Sequence, residues 1–137
     1  MAIKIILVDD NDPFRDALKK VLINKFNTEV IGEASSGTEF NKLTNLHFAD
    51  VILMDIMMPD IDGITLTKEA LWTNNYLKFI AITMHYDKVY LTSLLEAGFK
   101  GCVFKSNIFS EILAAIKTVM AGKLYFPNDI LLDFNKK

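Results

Sequence analysis

Two stretches of the chain are apolar without interruption and then end in acid. Val51-Ile52-Leu53-Met54 runs into Asp55, and Ile5-Ile6-Leu7-Val8 runs into Asp9-Asp10. A strand with no polar alternation is one buried on both faces, the kind a helix-covered parallel sheet contains. Residues 78–83 and 101–105 repeat the pattern more briefly and end in Thr83 and Lys105, while Thr28–Ala34 mixes polar with apolar residues as an edge strand does. Between these runs the apolar spacing turns helical. Phe14, Ala17, Leu18, Val21 and Leu22 follow Asn11-Asp12-Pro13, where a proline in the first turn does no harm. Gly37 opens a short helix expected to carry Phe40, Leu43 and Leu46, and Asp60-Ile61-Asp62-Gly63 leads into one with Ile64, Thr67, Ala70 and Leu71 inward. Lys88–Ala97 is closed by Gly98 in a left-handed cap, and Ile108, Ile112, Ile116 and Val119 form the last inner stripe before Gly122.

Five strands alternating with five helices predict an α/β fold, a flavodoxin-like (βα)5 three-layer sandwich around a parallel sheet of order 2-1-3-4-5. In that order strands one and three are neighbours, and the crevice beyond their carboxyl ends is where ligands bind. Asp9, Asp10 and Asp55 then face one crevice. Two like charges about 4 Å apart repel by roughly 4 kcal/mol at an effective dielectric near 20, so three carboxylates there need a partner. A hard divalent cation, magnesium or manganese, is the natural one. Asp55 at the strand tip, with Pro59 blocking continuation, is a candidate nucleophile for a phosphoryl group. Lys105 offers a compact counter-charge and Thr83 a hydroxyl donor.

Composition narrows the partners. The chain has 137 residues and a formal net charge of −2, with no basic stripe for nucleic acid, so DNA is expected only through a further domain. One cysteine cannot form an internal disulfide, no Cys-x-x-Cys or His cluster suggests zinc or iron, and no apolar run approaches the ~20 residues of a membrane span. Only four apolar residues separate Lys4 from Asp9, too few for a signal peptide, and a cytoplasmic location is expected.

The set Asp9-Asp10, Asp55, Thr83 and Lys105, with Met57-Met58-Pro59-Asp60 and Asp62-Gly63 after the central acid, resembles the receiver domain of two-component response regulators. The resemblance runs from about Ile3 to Gly122 and implies a receiver over residues 1–122, with 123–137 a tail or the start of a linker to an effector domain. It implies that Asp55 accepts phosphate from a sensor histidine kinase, and that Asp10 and Asp55 bind magnesium directly. Met57 would add a backbone carbonyl, and Asp9 would act directly or through water. Thr83 would be the switch hydroxyl and Lys105 the phosphoryl-binding lysine, and the only reactions catalysed would be the domain's own phosphorylation and dephosphorylation. Thr83-Met84-His85 and Lys105-Ser106 look like receivers of the LuxR, NarL or FixJ type, which regulate transcription and often dimerise through helix four, strand five and helix five. One position departs from the pattern: Cys102 stands where receivers commonly carry the aromatic partner of the switch threonine, three residues before the lysine. A haloacid-dehalogenase-type phosphatase would want Asp-x-Asp after strand one, and a flavin binder a Gly, Ser or Thr-rich loop where this chain has acid. A receiver-shaped interaction module that is never phosphorylated is the remaining alternative.

Overall fold

A computed structural model describes residues 2–135. The apolar runs and the mixed stretch at 28–34 are the strands of one parallel sheet: β1 (Ile3–Val8), β2 (Thr28–Ala34), β3 (Val51–Asp55), β4 (Phe79–Thr83) and β5 (Gly101–Phe104), in the order β2-β1-β3-β4-β5. Every residue of β3 and β4 is buried. The helices are α1 (Asp12–Lys25), α2 (Gly37–Lys42), α3 (Gly63–Thr73), α4 (Lys88–Ala97), α5 (Ile108–Met120) and α6 (Asn128–Asn135).

Strand alternation divides the core in two. Ile5, Leu7, Val51, Leu53, Ile80, Ile82 and Val103 pack with Leu18 and Leu22 of α1 and with the Ile108, Ile112, Ile116 stripe of α5. The intervening residues, Ile6, Val8, Ile52, Met54, Phe79, Ala81 and Cys102, pack with Phe40, Leu66, Leu91, Leu94 and Leu95 on the other face. Sheet positions that would be polar on a one-sided sheet are therefore apolar here. In α3 the fully buried inner residue is Leu66 beside Thr67, with Ile64, Ala70 and Leu71 only partly covered. The stripe expected in helix two also breaks. α2 ends at Lys42, Leu43 continues in extended conformation, and Leu46 belongs to a separate 3-10 turn, Leu46–Phe48. Asn45 in that connection donates its side-chain amide to the Ile31 carbonyl, so the segment is fastened to β2 by hydrogen bonding.

The stretch read as a tail is part of the packed structure. Tyr125 lies beside β5, donating its N–H to the Lys100 carbonyl at 2.9 Å and accepting from the Cys102 N–H at 2.8 Å. Its hydroxyl donates to Glu111 of α5 at 2.8 Å. Phe126 and Ile130 are buried in the core cluster that contains Leu91 and Cys102, and α6 lies against α4. The apolar residues after Gly122 supply the reason: Leu124, Phe126 and Ile130 have surface to bury, and the β5 edge offers unpaired backbone groups. Among the described residues no helix is long and apolar enough to cross a membrane.

Candidate functional site

Strand register delivers the acids to one place. Val8 lies opposite Met54 in the β1–β3 ladder, so Asp9, the next residue, emerges beside Asp55, the last of β3. Ligand oxygens of Asp9, Asp10 and Asp55 all lie within 4.8 Å of one another, an arrangement that can hold a metal ion. Asp9 and Asp55 are buried and Asp10 is exposed at the mouth. Thr83 ends β4, itself paired with β3, and is 1% exposed. Lys105 follows β5 and is half-buried. The sequence-derived positions Asp9, Asp10, Asp55, Thr83 and Lys105 thus all lie at the carboxyl edge of the sheet. Met57, two residues beyond Asp55, has an exposed side chain.

Each acid is held by its surroundings. Asp9 accepts from the Asn11 N–H at 2.8 Å through one oxygen, and its other oxygen faces the Lys105 ammonium at 3.2 Å. That second oxygen is buried with no hydrogen-bond geometry satisfied, which leaves it available to a cation. Burial is the main cause of the upward shift of the Asp9 carboxyl, with the Asn11 N–H and Lys105 opposing it. Asp55 is pushed up to about 7, first by burial and then by the charge of Asp9; Lys105 opposes the shift and a hydrogen bond shared with Asp10 adds to it. Without a counter-ion, then, Asp9 and Asp55 hold a proton more tightly than ordinary aspartates do. A divalent cation removes the repulsion, and an all-oxygen donor set suits a hard ion.

Several residues support the site through contacts that the sequence does not show. Arg15 donates to the Asp9 carbonyl at 2.6 Å and pairs with Glu33 at 3.0 Å and Asp12 at 2.8 Å, which fixes the backbone at the tip of β1. Phe14 lies under Lys105, whose ammonium is 4.3 Å from the ring centroid, a cation–π contact that aims the lysine inward. Asp60 binds the N–H groups of Gly37 and Thr38 and the Thr38 hydroxyl, tying the loop after β3 to the start of α2. These hydrogen bonds hold the Asp60 carboxyl well below the usual carboxylate range. The i,i+3 spacing of Asp12 and Arg15 is visible in the sequence; the contacts to Asp9 and Glu33 arise only once β1 and β2 pair.

Around Thr83, the hydroxyl oxygen accepts from the His85 N–H at 3.0 Å. The His85 ring is exposed and meets the Tyr90 ring of α4 at a tilt of 49°, with centroids 4.8 Å apart. Cys102 is buried, and burial pushes its thiol up to about 12, so it is a packing residue rather than a reactive thiol. A groove of about 510 Å³ lined by Phe40, His47, Glu69 and Leu77 lies elsewhere and contains none of the three clustered acids.

The fold is a parallel five-stranded α/β module with an acid cluster, a hydroxyl and a lysine at the carboxyl edge of its sheet, and sequence comparison gives the family. Residues 5–117 match the response regulator receiver domain, and the chain belongs to that family. It is 34% identical over 128 residues to the response regulator GacA of Pseudomonas syringae pv. syringae, covering 93% of this chain and 60% of the relative. It is 31% identical over 128 residues to the response regulator UvrY of Escherichia coli K12, covering 93% and 59%. The chain therefore spans about 60% of the length of these curated relatives. Among solved structures, a LuxR-family two-component response regulator from Aurantimonas superposes with a TM-score of 0.86 at 26% identity, covering 99% of this chain and 97% of that one.

Proposed function

We propose that Asp55 is the phosphoacceptor of a two-component pathway. The observation that carries this reading is the convergence of Asp9, Asp10 and Asp55 within 4.8 Å at a strand edge that also presents Thr83 and Lys105. An Asp55 carboxylate oxygen attacks the phosphorus of a phosphohistidine on a sensor kinase. The new oxygen–phosphorus bond makes a mixed anhydride as the nitrogen–phosphorus bond breaks, and the released imidazole nitrogen takes up a proton. Asp10, Asp55 and the Met57 carbonyl would hold magnesium or manganese, with Asp9 directly or through water. The bound ion supplies charge neutralisation for the transferring phosphoryl group.

The chain's own residues do the rest. Lys105 leaves its pairing with Asp9 for a phosphoryl oxygen, a move its flexible stem allows. Thr83 exchanges the His85 N–H for the same group, donating its hydroxyl. Water attack on the phosphorus of the anhydride returns Asp55 and inorganic phosphate. The resulting signal acts in the cytoplasm on transcription through an effector domain outside this chain, by dimerisation on the α4/β5/α5 surface. Because residues 124–126 and α6 cover part of that surface, pairing there involves their rearrangement.

Incubation with acetyl phosphate and magnesium, followed by intact mass, tests the reading. The wild-type chain gains one phosphoryl mass and Asp55→Asn gains none. Persistent labelling of Asp55→Asn places the nucleophile elsewhere, and absence of labelling in the wild type favours an interaction module that is not phosphorylated.

A further inference from the structure

Position 102 is a small buried thiol, so no aromatic ring stands three residues before Lys105; the ring that β5 does carry, Phe104, lies opposite Thr83 in the ladder and packs on Tyr86 with centroids 4.2 Å apart. A ring reaches the same neighbourhood from another element. Tyr90 sits in the first turn of α4, which Asp87 caps by accepting from the Tyr90 N–H at 2.9 Å. Its side chain packs against the core cluster that contains Cys102, and its ring lies on His85, the residue whose N–H holds the Thr83 hydroxyl. The phenol oxygen is buried without a completed hydrogen bond, and Thr83 is a side chain that bears on its proton affinity.

A buried phenol without a partner is costly, and tyrosine hydroxyls in such places ordinarily find one. This one has a hydroxyl neighbour whose own bond, to the His85 N–H, is the bond that a move toward Asp55 breaks. Burial raises the phenol further above neutrality, so it stays a donor at physiological pH. We infer that Tyr90 is a positioning residue for Thr83, taking from α4 the role that an aromatic at position 102 would take from β5. In the resting state its ring backs the His85 turn that holds Thr83. When Thr83 moves to the phosphoryl group, the Tyr90 side chain follows and α4 shifts with it. Since α6 rests on α4 through Ile130, the same motion reaches the covering segment.

This inference rests on the phosphoacceptor reading, and the test separates the two. Wild type, Tyr90→Phe, Thr83→Ala and the double variant are compared before and after acetyl phosphate and magnesium, by intact mass and by hydrogen exchange of α4, α6 and the His85 amide. In the unmodified protein Tyr90→Phe changes His85 exchange at least threefold, and has no effect when Thr83 is already Ala. After phosphorylation Tyr90→Phe is labelled within about twofold of wild type, yet its exchange response in α4 and α6 falls at least threefold, and the double variant responds no less than Thr83→Ala alone. A labelled Tyr90→Phe protein with a wild-type response, or an effect on His85 that survives in the Thr83→Ala background, overturns the role of Tyr90 alone. Failure of the wild type to take up phosphate overturns the phosphoacceptor reading and this role with it.

Discussion

As the proposed phosphoacceptor, Asp55 is asked to be two things: a carboxylate when it reacts, and a buried group next to two other acids. Folding raises its affinity for a proton, from an ordinary 3.8 to about 7. Its contribution to stability is therefore fully present below pH 4 and is lost as the pH rises toward 7. We expect the metal-free domain to lose thermal stability over that interval, and Asp55→Asn to recover on the order of 2 kcal/mol at pH 8 by removing the buried charge. Magnesium should raise the wild-type melting temperature more at pH 8 than at pH 5, because below neutrality the ion competes with protons, and it should do little for Asp55→Asn. Thermal melts across pH with and without the ion check this, and a pH-independent magnesium effect would contradict it.

At the level of elements, the site depends on how closely a helix can approach a strand. Gly63 begins α3, donates its N–H to the Ile56 carbonyl at 3.0 Å, and leaves no room for a side chain: a Cβ there would sit 2.4 Å from the Asp55 carbonyl oxygen and 2.9 Å from the Met54 side chain. Gly63→Ala should cost about 3 kcal/mol in a denaturant titration and slow acetyl phosphate labelling, since the only escape is to push β3 and α3 apart at the acid. The strands and the acids at their tips were legible in the sequence because a two-sided strand announces itself by uninterrupted apolar residues, and anything polar at its end stands out. Tyr90 was not. It falls at helical spacing within α4 like any partly buried residue, and its bearing on Thr83 comes from the turn at His85, which no periodicity encodes. The stripe through Leu43 and Leu46 misled for a related reason: spacing shows which residues are buried, while Asn45 bonding to Ile31 decides that the chain between them is not helix.

Seen whole, the molecule has a sixth helix that apolar spacing alone did not assign. The pattern after Gly122 was too short to declare a period, and its burial depends on a surface that α4 and β5 create together. Removing residues 123–137 strips Phe126 and Ile130 from the core and should lower stability by about 3 kcal/mol, near 10 °C in melting temperature, while leaving the acid cluster able to bind magnesium. Differential scanning calorimetry of the shortened chain measures the loss; an unchanged melting temperature would show that the segment contributes nothing to the fold.

Tyr125 also settles how the sheet meets its surroundings. An open parallel sheet has two rims of unpaired amides, each a template for another chain. Here the β2 rim presents Glu29 and a register irregularity opposite Ile5 and Ile6, and the β5 rim is occupied by backbone bonds from Tyr125. On the proposed reading, in which copies of the domain pair on this side, residues 124–126 are a removable stopper at the place of pairing. Whatever loosens residues 124–126 exposes adhesive backbone as well as apolar surface, so on that reading release and pairing become one event.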